Sequence, residues 1–469
     1  MTPAPGRLRF EHAHVVSFQE RFDEGRAARS SIPRGAHVEY TPRSDRDPLG
    51  ILETQNAARL ADLIPLRTSR MLTSPFAFYR GSAAIQAADL RNGIDTNAEI
   101  VICGDAHIAN FGLFASPQRT MIFDLNDFDE ASYGPWEWDL KRMVTSVVIA
   151  AKHKGYSVTD ARGAAIASAI AYRDALRSAM QLDALQRFYL AATVTPGSSP
   201  FGKKTQKTID STLASASNRT SARVMEKITE LAPDGTRVIV ENPPTLTHVD
   251  TTHEEELMDA MREYALTVPS HVALLLSQYE ITDVARRVVG VGSVGTRCFI
   301  LMLTGPRADP LVLQLKEATE SVVQQFGGIP RHVLPGGDHQ KRGSHNGGRV
   351  VSNQRIMQAV SDPFLGYLTV GGFDFYVRQF RDRNVSFDID ALGRQPFTDY
   401  VASCGALLAR AHAQSPNAAF IAGYIGSSES MVNAVVDWAF AYADQSLADF
   451  EALRAAVADG RFTAAPPPA

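Results

Sequence analysis

Short apolar runs that end in acidic or glycine-rich turns alternate along this chain with longer stretches of helical spacing. Ile100–Cys103 and Met121–Phe123 have strand length, and each leads into an acidic segment, Gly104-Asp105 in the first case and Asp124 to Asp129 in the second. Together they predict a hairpin-like unit that gathers carboxylates at one end. A second strand-rich tract begins at Val288: Cys298–Leu303, a turn at Gly305-Pro306, Leu311–Leu315 ending in Lys316, and later Phe373–Phe380. Between and around these tracts the spacing is helical. Leu52, Leu60, Leu63 and Leu66 fall near one face, with a break or kink expected at Pro65, and helices are predicted in Met143–Ala151, Asp160–Tyr189, Glu254–Gln278, Gly347–Ala359, Thr398–Ala413 and Tyr424–Phe462. Arg29–Asp47 reads as an extended arm closed by a turn at Asp47–Gly50. Thr195–Asn218 reads as a mobile loop with Lys203, Lys204 and Lys207 solvated, and the Ala/Pro tail as disordered.

Composition narrows the class. A chain of 469 residues exceeds what one core usually fills, so two lobes are expected. A 45% hydrophobic and 21% charged composition is that of an ordinary soluble globular protein. Net charge −4 gives no electrostatic reason to expect nucleic acid. Cys103, Cys298 and Cys404 are few and far apart, which argues for a reducing compartment rather than a disulfide framework. With no signal-like or membrane-spanning run, a cytoplasmic protein without membrane partners is expected.

The chemistry concentrates between Val101 and Arg142. Asp105, His107 and Asn110 follow the first apolar run, and Asp124, Asp127 and Asp129 follow the second. So many anions repel one another unless a cation sits among them, and Asp and Asn oxygens suit a hard ion such as Mg²⁺. Asn110, Asp127 and Asp129 are the candidate metal ligands. His107 has no His or Cys partner at zinc spacing and reads as a loop histidine. Arg67, Arg70 and Arg80 could bind a phosphate or an anionic acceptor, or pair with the carboxylates as structural salt bridges.

Gly290-x-Gly292-x-x-Gly295 lies between strands, where a dinucleotide-binding turn would lead into a helix. A glycine-rich hairpin whose next strand carries a lysine is how kinases cover and pair with nucleotide phosphates, so Gly290, Gly292, Gly295 and Lys316 are the candidate ATP-binding residues. The acidic partner of Lys316 stays open between Glu317 and Glu320. Arg378 and Arg381 read as structural.

Gly104-Asp105-x-His107-x-x-Asn110, followed by Asp127-Phe128-Asp129-Glu130-Ala131, Gly134-Pro135 and Asp139-Leu140, resembles the catalytic segment of the aminoglycoside phosphotransferase and choline kinase branch of the protein-kinase-like superfamily. The resemblance implies that Asp105 orients or deprotonates the acceptor hydroxyl, that Asn110 and Asp127 hold Mg²⁺, and that Asp139 steadies the loop. Asp124 and Asp129 have no certain counterpart. Kinases place the glycine loop and lysine before the catalytic loop, and here they follow it, which implies a circular permutation. The expected fold is therefore α+β: a two-lobed, circularly permuted protein-kinase-like fold with extra helices. Residues 1–99 would form an arm and helical region, 100–285 the mainly helical catalytic lobe, 286–385 the nucleotide-binding β-rich lobe, and 386–469 helices completing the catalytic lobe.

The strings RMLTSPFAFYRG, GDAHIANFG, FDLNDFDEASYGPWEWDLKR, LQLKEA, RVVSNQR and YADQ are also similar to the bacterial domain of unknown function 2252 family over most of the chain. That likeness implies no substrate. The expected function is ATP- and Mg²⁺-dependent phosphoryl transfer to an unidentified small-molecule or protein acceptor. The alternatives are nucleotidyl (AMP) transfer on the same scaffold and a nucleotide-binding regulatory pseudokinase.

Overall fold

The computed structural model describes residues 16–466 except 196, 198–200, 218–220, 232–236, 250–253, 289, 333–344 and 381–383. Arg381 therefore lies outside the described residues. The architecture is α+β. Strand β1 (Glu99–Ile102) ends at the Asp105 segment, and β2 (Phe111–Ala115) and β3 (Met121–Leu125) precede the Asp127 segment, with β4 (Ser132–Pro135) after it.

The two apolar runs do not pair with each other, contrary to the hairpin expected from the sequence. β1 pairs antiparallel with β4, Ile100 opposite Gly134, while β3 pairs with β2, Gly112 opposite Asp124. Loop closure favours this outcome, because β2 and β3 are separated only by the turn at Ser116–Thr120.

A separate pair is formed by β5 (Thr229–Leu231) and β6 (Arg237–Ile239). The larger sheet is built from β7 (Leu246–His248), β8 (Glu280–Arg287), β9 (Cys298–Thr304), β10 (Pro310–Glu317), β11 (Gly366–Val370) and β12 (Phe373–Gln379), in the order β11-β12-β10-β9-β8-β7. This sheet begins ahead of residue 286. A short strand β13 (Val385–Ser386) follows and pairs with β2, so the chain crosses from the large sheet to the acidic segment's own sheet.

Each sheet has its core. Leu301, Leu303, Leu313, Leu315, Phe375 and Val377 point to one side of the six-stranded sheet and pack with Tyr264, Val268 and Val272. The main core joins β1 to β4 with the helices Trp136–His153, Val158–Ala179, Arg394–His412 and Ser430–Ala458. Trp136–His153 carries Glu137 and Asp139 in its first turn and Lys152 and His153 in its last, matching the helix dipole. The three cysteines are buried free thiols.

Local readings change at five places. Lys203–Ser217 is a helix rather than a loop, because Thr205, Leu213 and Ala216 bury one face. Asp47 caps a helix, Pro48–Ala57, by accepting the Gly50 N–H, and Pro65 sits in the first turn of Ile64–Met71, where its missing N–H costs nothing. The arm is docked: Arg46 bridges Asp89 and Asp449, and Arg34 reaches the Ile425 carbonyl. At the other end the Ala465 N–H donates to the Pro65 carbonyl, so the tail is ordered at least to there.

Candidate functional site

Gly104 turns the chain out of β1 with φ +75°, and a Cβ there would lie 2.2 Å from the Glu130 carbonyl oxygen. Only glycine allows the two acidic segments to approach this closely. The loop is then clamped from the helix behind it. The Asp139 carboxylate accepts the N–H groups of Cys103 (2.6 Å) and Gly104 (2.9 Å), and His412 Nε2 lies 3.2 Å from it. Tyr172 bonds the other ring nitrogen of His412 at 2.8 Å. With Nε2–H donating to the carboxylate, Nδ1 is the acceptor of the Tyr172 hydroxyl.

One helical turn after Asp139, Arg142 donates through Nε to Asp105 Oδ1 at 2.7 Å, through Nη1 to Gln86 and through Nη2 to the Tyr79 carbonyl. Burial opposes the Arg142 charge, but Asp105 holds it above the usual arginine range. His107 is the opposite case: burial pushes its imidazole down to about 3, so it is neutral, and its Nε2 stands 3.7 Å from Asp105. Asn110 donates its side-chain N–H to the Asp105 carbonyl at 2.8 Å and lines the same cavity.

Lys316, near the end of β10, reaches down to the second acidic segment. Its ammonium lies 2.6 Å from Asp129 Oδ2 and 3.6 Å from Asp127 Oδ1. Tyr376, opposite Lys316 on β12, donates its hydroxyl to Asp129 Oδ1 at 2.6 Å. Burial disfavours the Lys316 charge, yet the two carboxylates hold it well above its usual value. Against burial, Lys316 and Tyr376 hold the Asp129 carboxyl down to about 2. Burial and then the Asp129 charge push Asp127 up. The lysine's acidic partners are therefore Asp127 and Asp129. Glu317 is paired with Arg297 at 3.1 Å, and Glu320 lines the cavity without reaching Lys316.

The helix Asn346–Met357, which connects β10 to β11, brings no carboxylate to the lysine. Its Arg349 holds the carbonyls of Asp129 (2.7 Å), Thr319 (2.9 Å) and Ala131, and Asn353 also bonds the Ala131 carbonyl. Asp124 is buried and accepts the N–H groups of Leu125 and Ala359, so it is a structural member of the acidic run.

The glycine segment is the β8–β9 connection. Gly290 (φ +70°) and Gly292 line the cavity, whereas Gly295 (φ +90°) packs on the Arg59 side chain and its carbonyl accepts the Leu60 N–H. The three arginines expected either to bind anions or to pair with carboxylates divide differently. Arg67 is buried on Asn56, Gln55 and the Gly81 carbonyl, Arg70 donates to the Gly290 carbonyl at 2.6 Å, and Arg80 lines the cavity. None of the three is in an ion pair with a described carboxylate.

A cavity of about 230 Å³ thus brings together Asp105, Asn110, Asp127, Asp129, Gly290 and Gly292, with Lys316 behind Asp127 and Asp129 rather than in its lining and Gly295 outside it. Among the described residues no three or more His, Cys, Asp and Glu side chains converge on a metal position. Two carboxylates and an Asn amide still fit Mg²⁺, which is commonly held by one or two carboxylates together with substrate phosphates. Deeper along the same face of the sheet, Ile300, Met302 and Val312 are covered by Met225 and Ile228 of the helix Ser221–Ile228. Arg142 and Arg59 were missed from sequence. Asp139 and Arg142 lie three apart on a helix, a spacing that could have revealed Arg142, whereas nothing local marks Arg59.

The molecule is an α+β protein with an acidic, lysine-bridged cavity below a glycine-turn hairpin. The family described as "Uncharacterized protein conserved in bacteria (DUF2252)" matches residues 59–456, and the chain belongs to it. Neither a curated protein nor a solved structure matches the chain. No helix among the described residues is long and apolar enough to cross a membrane.

Proposed function

We propose that the protein is an ATP- and Mg²⁺-dependent phosphotransferase on a circularly permuted protein-kinase-like fold. The observation that carries this reading is the Lys316 contact with Asp127 and Asp129, which joins a glycine-hairpin sheet to an acidic segment remote in sequence, itself packed against the Asp-x-His-x-x-Asn loop. Phosphoryl transfer asks the protein chiefly for positioning and charge neutralisation, and these groups supply both.

In this reading Asp105, fixed by Arg142, orients the acceptor hydroxyl and receives its proton. Lys316 and the backbone of Gly290 and Gly292 hold the nucleotide phosphates, and Lys316 exchanges part of its contact with Asp129 for them. Asp127, Asp129 and Asn110 are the residues that would hold Mg²⁺, whose contribution is to neutralise charge on the phosphates. The acidic partner that kinases place on a helix for this lysine is replaced by the two aspartates themselves.

Calorimetry with ATP, with and without Mg²⁺, tests the reading on the wild type, Asp127→Ala and Lys316→Ala. Mg²⁺-dependent binding weakened by both substitutions is expected, and no binding by the wild type would sink it. Labelled ATP then decides the chemistry: the γ-phosphate reaches product in phosphoryl transfer, the α-phosphate in nucleotidyl transfer. Asp105→Asn should keep Mg²⁺-ATP binding and slow transfer by about 10²–10⁴-fold.

A further inference from the structure

Most cavity-side guanidinium groups in this protein are already committed. Arg142 holds Asp105, Gln86 and the Tyr79 carbonyl, Arg349 holds three carbonyls, and Arg59 donates to the Val294 carbonyl. Arg80 differs. It lies in the last turn of the helix Pro75–Gly81, lines the cavity beside Asp105, His107 and Asn110, and its guanidinium makes no hydrogen bond or ion pair with any described residue. Its Nε is shut off from solvent without a partner.

A guanidinium offers five donors in a planar fork, and leaving them unmet in a partly buried site is costly. Burial weakens the Arg80 charge, while Asp105 and then Asp127, Tyr400 and Asp390 support it. Those neighbours put Arg80 on the Asp105 side of the cavity, whereas the Lys316 ammonium is engaged at Asp129. The fork matches carboxylate and phosphate oxygens geometrically, so its missing partner is an oxyanion.

We propose that Arg80 is a specificity-determining residue that binds an oxyanion, a carboxylate or a phosphate group, carried by the acceptor next to the hydroxyl engaged by Asp105. The assignment of this oxyanion to the acceptor rests on the phosphotransferase reading. It makes the substrate class a hydroxylated acid or a phosphorylated alcohol rather than a neutral sugar or an amine.

The test is calorimetric titration of the full chain with inorganic phosphate and, separately, with acetate. Each is run on the protein alone and on protein saturated with Mg²⁺ and a non-hydrolysable ATP analogue. One anion is expected to bind in both conditions, phosphate indicating a phosphorylated acceptor and acetate a carboxylated one. Arg80→Gln should weaken that binding at least roughly tenfold, with Arg80→Lys in between, and melting temperatures confirm that both variants fold. Anion binding insensitive to Arg80→Gln in the folded variant, or absent from the wild type, overturns the proposal. So does anion binding abolished by the ATP analogue, which would assign Arg80 to the nucleotide. If the analogue itself does not bind while Arg80-dependent anion binding persists, the phosphotransferase reading fails and the oxyanion site stands without its acceptor role.

Discussion

The Lys316 ammonium and the Asp129 carboxylate meet at 2.6 Å although 187 residues separate them in the chain. The lysine side chain is 3% exposed and the aspartate 25%, so the pair is shielded on one side and open to the cavity on the other. Breaking such a pair leaves an uncompensated charge facing low dielectric. Lys316→Met should cost about 3 kcal/mol of unfolding free energy. Asp129→Asn should cost less in the Lys316→Met background than alone, by at least about 1 kcal/mol. Urea denaturation of the four proteins in the cycle measures this, and additive losses would show that the contact carries no energy.

Val312, Gln314 and Lys316 share one face of β10, with Met302, Ile300 and Cys298 opposite them on β9. Met225 and Ile228 cover the apolar end of that face. If the proposed nucleotide lays its purine along this face next to the phosphates, it must displace them, and its apparent affinity would then be reduced by the fraction of time the helix is closed. Met225→Asp should therefore tighten ATP binding, by about threefold or more. Unchanged affinity would place the purine elsewhere.

The helices Phe18–Ala28 and Ala418–Ile425 touch through their backbones. A Cβ at Gly25 would lie 2.0 Å from the Phe420 carbonyl oxygen, and one at Gly423 2.0 Å from that of Phe22. Gly25→Ala or Gly423→Ala should each cost about 1–3 kcal/mol, because backbone cannot step aside as a side chain can. Once the first alanine has separated the helices, the second should cost less. Equal, additive losses in denaturation would mean that the crossing relaxes independently at the two points.

Stability should fall in acid, in part through the site histidine His107 and in part through a second buried imidazole outside the site. Burial, and then Lys141, hold the His37 imidazole down to about 3, and its Nε2 bonds the Tyr424 hydroxyl. The folded state keeps this ring neutral while the unfolded chain takes up a proton below 6.5, so its stabilising effect is present above 6.5 and lost as pH falls from there toward 3. The loss is about 1.4 kcal/mol per pH unit for one imidazole. Denaturation at pH 7, 6 and 5 should show a shallower slope in His37→Asn than in wild type, and identical slopes would mean that His37 is not the titrating group.

How legible this was in the sequence depended on whether the signal was local. The glycine segment between two strand runs, with Lys316 ending the next, reads directly because turn chemistry and strand periodicity agree there. The β1–β3 pairing was misread because Phe111–Ala115 lacks alternation: it is buried on both faces and looks like part of a loop until its partner is known. Asp105, Asp127 and Arg80 stand out as residue types, but how the fold surrounds them does not. Arg59 reaches the cavity only through packing well upstream in the chain, and the Lys316 partners were sought in adjacent Glu317 and Glu320 when they come from across the fold. Lys203–Ser217 was hidden by its exposed lysines, which mark the outward face of a helix as readily as a loop.

His412 completes the clamp on Asp139 from 273 residues further along the chain. On a ribosome adding about 5–20 residues per second, the acidic segment therefore emerges on the order of tens of seconds before the residue that secures its loop. For the first part of that interval the growing polypeptide carries Asp105, Asp127 and Asp129 without Lys316, and throughout it lacks His412. The residues that line the cavity are all present once Gln325 has been made, so for the rest of that interval the cavity exists without the His412 clamp on the Asp139 carboxylate.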